Sequence, residues 1–118
     1  MHALLEEIEN AIAAHELWKE RLMAAIETGH SVWAVDKVSV DDQCAFGKWI
    51  HMIETDYKDD HFYTTVRELH AHFHKIAGIV LNLALSGFKK QATEIYQGEY
   101  QLASQHLLFE LHAWKKSL

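Results

Sequence analysis

The sequence predicts an all-α fold, a four-helix bundle with an additional short helix that carries the only cysteine. Three observations predict it. Apolar residues recur at steps of three, four and seven through long stretches of the chain. There is no proline, the commonest helix breaker. Gly29 and Gly87 fall where two of those periodic stretches end. Helices with one apolar stripe each can bury it only against one another, which makes a bundle. A length of 118 residues suits one domain, 1–118, with a sizeable core.

The first helix runs from about Ala3 to Thr28. Leu5, Ile8, Ile12, His15, Leu22 and Ile26 form its apolar stripe, with Glu6, Glu7, Glu9, Lys19 and Glu20 between them. Gly29 is its stop. His30 to Val40 reads as a short loop with at most a turn of helix, because Val32, Val35, Val38 and Val40 weaken helix propensity. A short second helix starts near Asp41 or Asp42, both good N-cap types, and carries Cys44, Phe46, Trp49, Ile50 and Ile53. It fades through Thr55 to Asp60. A third helix spans about Asp60 to Ser86, with Phe62, Val66, Leu69, Phe73, Ile76 and Val80 in line, and stops at Gly87. The fourth fills Phe88 to about Lys116. Its spacing predicts Ile95, Leu102, Phe109 and Leu111 or Trp114 facing inward, and leaves Tyr96, Tyr100 and Leu107 for a dimer contact.

Composition excludes several function classes. One cysteine cannot form an internal disulfide, so a reducing, cytoplasmic setting is expected. No apolar run approaches the roughly 20 residues that span a bilayer. The acidic start, Met1 to Glu7, lacks the pattern of a secretory signal. The net charge is −6 and there is no lysine or arginine block, which argues against nucleic acid and anionic membrane as partners. No Gly-rich phosphate loop, His-Glu-x-x-His or paired carboxylates point to an enzyme. Ten histidines remain to be explained.

His70-Ala71-His72-Phe73-His74 is their densest cluster. On a helix, His70 and His74 stand one turn apart on the same side, in line with Val66, Ala77 and Leu81, and can grip one metal ion. His72 points about 200° away from His70. Cys44 is expected in the first turn of its helix, where unpaired N–H groups and the dipole ease thiolate formation. Gly47, on the same face, leaves room for another helix. His15 sits on the stripe of the first helix. Each has an ordinary alternative: a surface pair for His70 and His74, a small buried hydrophobe for Cys44, a hydrogen-bonded core histidine for His15. Together, three apolar stripes each present a soft or borderline ligand. His15, Cys44, His70 and His74 make the His3Cys set that suits tetrahedral zinc, and its closure reads as structural or sensory.

His15-Glu16-Leu17-Trp18, Cys44-Ala45-Phe46-Gly47-Lys48-Trp49-Ile50 and His70-Ala71-His72-Phe73-His74 together resemble the signature of the bacterial chemoreceptor zinc-binding (CZB) domain. That signature is a histidine followed closely by an aromatic, then Cys-x-apolar-Gly-x-aromatic, then His-x-x-x-His. The resemblance covers nearly the whole chain. It implies a homodimeric helical bundle holding Zn2+ on His15, Cys44, His70 and His74. It also implies a regulatory role, like the zinc-sensing domains attached to a diguanylate cyclase or to chemotaxis receptors. Such domains are usually fused to an output. None follows here, so the chain is either an excised fragment or, as the Met1 start favours, a stand-alone domain acting on a partner.

The chemistry agrees with a sensor. A zinc-bound thiolate is the ligand most open to oxidants such as hypochlorous acid, and oxidation to sulfenic acid weakens its bond to the metal. Losing one ligand of four is expected to free the short helix. Two rivals stand beside this reading. A hemerythrin-like diiron bundle needs about five histidines and bridging carboxylates. His106 and His112, six apart, do not share a face, and no inward Glu-x-x-His pair exists. A metal-free dimerisation bundle would use Trp18, Trp33, Trp49 and Trp114 as core or interface aromatics, although Trp18 and Trp49 are expected beside the metal site. The seven other histidines (His2, His30, His51, His61, His72, His106, His112) are mostly expected to face solvent.

Overall fold

A computed structural model describes the backbone of residues 2–118 and the side chains of residues 4–118. Its elements are α1 (His2–Thr28), α2 (Val35–Val38), α3 (Ala45–Met52), α4 (Glu54–Tyr57), α5 (His61–Leu85) and α6 (Lys89–Ile95). A π-helical segment (Tyr96–Tyr100) then leads into α7 (Gln101–Ser117). Three long rods result, because α6, the π segment and α7 run on without a break. The described residues contain no strand, and none of their helices is long and apolar enough to cross a membrane.

The helix ends follow their local chemistry. Asp60 caps α5 by accepting a hydrogen bond from the Tyr63 N–H at 3.0 Å. Gly87 closes the same helix with φ +86, while the Phe88 N–H reaches back to the Leu83 carbonyl. That is the left-handed stop a glycine permits. Gly29 ends α1 with φ +75.

The long rods bury Ile8, Leu22, Val66, Phe73, Leu81, Leu107 and Leu111 between them. The short elements pack on this frame, α2 against α5 and α3 against α1 and α5. Gly78, in the middle of α5, marks where the chain after α2 crosses it. A Cβ there would lie 2.8 Å from the Ser39 Cβ and 2.9 Å from its Cα, so only glycine lets the crossing come this close.

Two expectations are corrected. The short helix starts at Ala45, not near Asp41 or Asp42, and Cys44 is its N-cap rather than part of its first turn. On the last rod, Leu102 and Phe109 point outward, 57% and 71% exposed. The inward row is Tyr96, Tyr100, Leu107, Leu111 and Trp114. Tyr96, Tyr100 and Leu107 are therefore core residues, not a dimer contact. Both rows satisfy helical spacing. The difference is rotational phase, which here depends on the tyrosines packing inside: Tyr100 lies against Phe73, and Tyr96 donates to the Lys19 carbonyl.

The corrected phase makes opposite predictions for two neighbours on α7. Leu107→Ala is expected to lower the free energy of unfolding by about 2–5 kcal/mol. Phe109→Ala changes it by no more than about 0.5 kcal/mol. Urea denaturation of the two variants measures both.

Candidate metal centre

Each predicted ligand is carried by a different device. His15 projects from the buried stripe of α1. Cys44 caps α3. His70 and His74 stand one turn apart on α5. The three imidazoles are buried and Cys44 is half-buried. The structure brings one ligand-type atom from each within 4.8 Å of all the others.

Hydrogen bonds decide which nitrogens face the centre. His15 Nδ1 donates to the Ala11 carbonyl at 2.7 Å, leaving Nε2 as the lone-pair nitrogen. His74 Nδ1 donates to the Val38 carbonyl at 3.0 Å, with the same result. His70 Nε2 lies 3.0 Å from His74 Nε2 and 3.3 Å from Cys44 Sγ, which is 3.5 Å from His74 Nε2. Tetrahedral zinc at its usual bond lengths implies N–N edges of about 3.3 Å and N–S edges of about 3.6 Å. The observed spacings approach those edges. The buried His15 Nε2 has no partner among the described residues. A buried lone pair with no N–H or O–H to meet it is left unsatisfied by the protein and is well satisfied by a cation.

The electrostatics lean the same way. Burial lowers the pKa of His15 to about 4, with smaller contributions from His74 and Arg21 opposing its bond to Ala11. Burial also pushes His70 well below the ordinary histidine range, with His15 and His74 adding to the shift. His74 shifts down for the same reason, against the pull of the Val38 carbonyl. All three are neutral, as ligands must be. Cys44 departs from expectation. Its sulfur accepts the Gly47 N–H at 3.2 Å, as the helix N-terminus promises. Yet desolvation outweighs that help, and the thiol pKa is raised. The helix end alone does not make the thiolate, and a cation in the centre would supply the missing stabilisation.

Several supporting residues were not foreseen. The Val38 carbonyl is held in place by the close crossing at Gly78. Gly47 makes room not for a helix but for the backbone of Asp41, which a Cβ would strike; the His70 ring would stand 3.2 Å from the same Cβ. The Asp41 carboxylate then accepts from His51 Nε2 at 3.2 Å. Arg67 donates to His51 Nδ1 at 3.2 Å and to Glu54 at 2.6 Å. This chain ties the turn before Cys44 to α5. The mid-helix glycine at 78 was a usable signal for a close approach. The His51 network joins residues distant in sequence and has no signature of spacing.

The remaining histidines divide as expected, apart from His51. His30, His61, His72, His106 and His112 are exposed. The His2 side chain lies outside the described residues. With His106 and His112 at the surface, the described residues form no five-histidine cluster of the diiron kind. Trp18 lines the cleft beside His15 and Cys44, and Trp49 packs on Phe46, whose ring also meets that of His70. Trp114 belongs to the core.

A protein-family model described as "Chemoreceptor zinc-binding domain" matches residues 15–81. The match begins at His15 and contains all four clustered residues. No curated protein and no solved structure matches the chain significantly.

The buried neutral histidines give a pH prediction for the metal-free protein. Unfolded His15 takes up a proton near pH 6.5, and folded His15 resists until about pH 4. The unfolded chain therefore binds more protons across that window. Stability is full above pH 6.5 and falls as pH drops towards 4. Urea midpoints of the chelator-treated protein are expected to decline through the window, and less steeply in His15→Gln.

Proposed function

Since this chain belongs to the chemoreceptor zinc-binding domain family, we propose that it is a zinc-binding regulatory domain. On this reading His15, Cys44, His70 and His74 are the ligands of one Zn2+. The observation that carries it is the His3Cys group, its imidazoles buried and its sulfur half-buried, with no charged side chain bonded to it among the described residues. Thiolate with imidazole selects zinc over calcium or magnesium. A set of four protein ligands leaves no open position for a substrate, so the role is regulatory rather than catalytic.

The signal is read at Cys44. When bound, zinc holds the sulfur as thiolate against the desolvation that otherwise keeps it protonated. Its half-buried position beside an open cleft leaves it accessible to small oxidants. Hypochlorous acid takes two electrons from the sulfur, leaving sulfenic acid and releasing chloride. The N-cap of α3 is then lost as a ligand, and α3 loosens from α1 and α5. The output is a signalling partner, either cyclic-di-GMP synthesis or a chemotaxis receptor, reached through a homodimer. Leu102 and Phe109, outward on α7, are apolar side chains available for such contacts.

Metal analysis and competition titration test the reading. The reduced protein is expected to hold one zinc per chain, and zinc raises its Tm by mass action. Cys44→Ala is expected to weaken binding beyond the roughly 10–100-fold that loss of an outer-shell partner brings. No zinc in the reduced wild type, or equal affinity in the variant, sinks the proposal. Gly78→Ala, which displaces Ser39 and with it the Val38 carbonyl, should fall within that 10–100-fold range.

A further inference from the structure

A cleft of about 740 Å3 opens beside the metal centre, and zinc binding does not account for it. It lies between α1, the loop that follows α1, α2 and the start of α3. Trp18 and Trp33 line it with ring centroids 5.2 Å apart. Trp18 is buried and Trp33 is 40% exposed. The Arg21 guanidinium stacks over both rings, 4.9 Å from the Trp18 centroid and 4.4 Å from that of Trp33. Stacking leaves the N–H edge of a guanidinium free for a planar anion. Arg21 forms no ion pair among the described residues. Lys37 lines the same cleft, and Glu7 is the single acid there. Two cations against one acid reverse the sign of a chain whose net charge is −6. The cleft also reaches Cys44.

We propose that this cleft binds a small aromatic carboxylate, with its ring against Trp33 and its carboxylate on Arg21 and Lys37, so that the bound molecule covers Cys44. An apolar body with one anionic group matches the lining, and a guanidinium fork matches a carboxylate geometrically. Binding itself requires no metal. Only its consequence, control of access to the ligand cysteine, rests on the zinc reading.

The probe is 1-naphthoate, compared with the neutral 1-naphthalenemethanol, titrated by calorimetry into the metal-free and the zinc-loaded protein. Naphthoate is expected to bind about tenfold more tightly than the alcohol, the gain from one charge-assisted contact. Arg21→Gln removes that preference while the far-UV circular dichroism stays that of the wild type. Arg21→Lys keeps part of it, and Lys37→Gln reduces it. Saturating naphthoate slows iodoacetamide alkylation of Cys44 in the metal-free protein. Equal affinities for the two probes, an unchanged preference in Arg21→Gln, or unprotected Cys44 overturns the proposal. Zinc binding without naphthoate binding refutes this inference alone. Naphthoate binding in a protein that takes up no zinc refutes the zinc reading alone.

Discussion

Desolvation of four side chains of metal-ligand type in one small volume is the constraint on which the rest of the architecture depends. Three imidazoles and a thiol occupy space that apolar side chains would fill more cheaply. Burial keeps each imidazole neutral and keeps the thiol protonated. His74 Nε2 and His70 Nε2 then meet at 3.0 Å with at most one proton to share between them, since the His74 proton is given from Nδ1 to Val38. Such a cluster is tolerable when a cation can enter it. The same burial that burdens the metal-free fold thus prepares the ligands.

The connection between α1 and α5 is what turns two helices into a four-sided site. Residues 29–60 carry only the short helices α2, α3 and α4 and no long run. Their value lies in three fixed points: Val38 on His74, Asp41 over Gly47, and Cys44 at the head of α3. The glycines at 47 and 78 are where backbone must meet backbone or ring. The His51, Arg67 and Glu54 bonds then hold the turn from its other side. The cysteine is delivered by a well-anchored but short segment, which is the natural element to move if its sulfur lets go.

The clustering of these histidines was legible because helical spacing is a short-range property. His70 and His74 declare their shared face through their separation alone, and His15 declares its burial through the stripe it interrupts. The ends of α1 and α5 were equally plain, since Gly29 and Gly87 act on the two or three residues beside them. The phase of α7 was not. Leu102 with Phe109, and Tyr100 with Leu107, are equally good rows, and the choice depends on what α1 and α5 present across the interface. The start of α3 was misplaced because Asp41 and Asp42 look like better caps than a cysteine does. Asp41 is instead engaged with His51, ten residues further on. The raised thiol pKa also needed the fold, because it measures how much water the packed helices remove.

The groups that orient His15 and His74 are the main-chain carbonyls of Ala11 and Val38. A side-chain partner can be lost by a single codon change; a carbonyl cannot. These two imidazoles therefore keep their tautomers through almost any drift in the identity of residues 11 and 38. Only a shift of backbone alters them. For Ala11 that would mean unwinding α1. For Val38 it would mean only a sideways step of the strand of chain crossing Gly78. The centre is in this sense mechanically addressed: a force on the crossing segment reaches a nitrogen lone pair without passing through any other side chain.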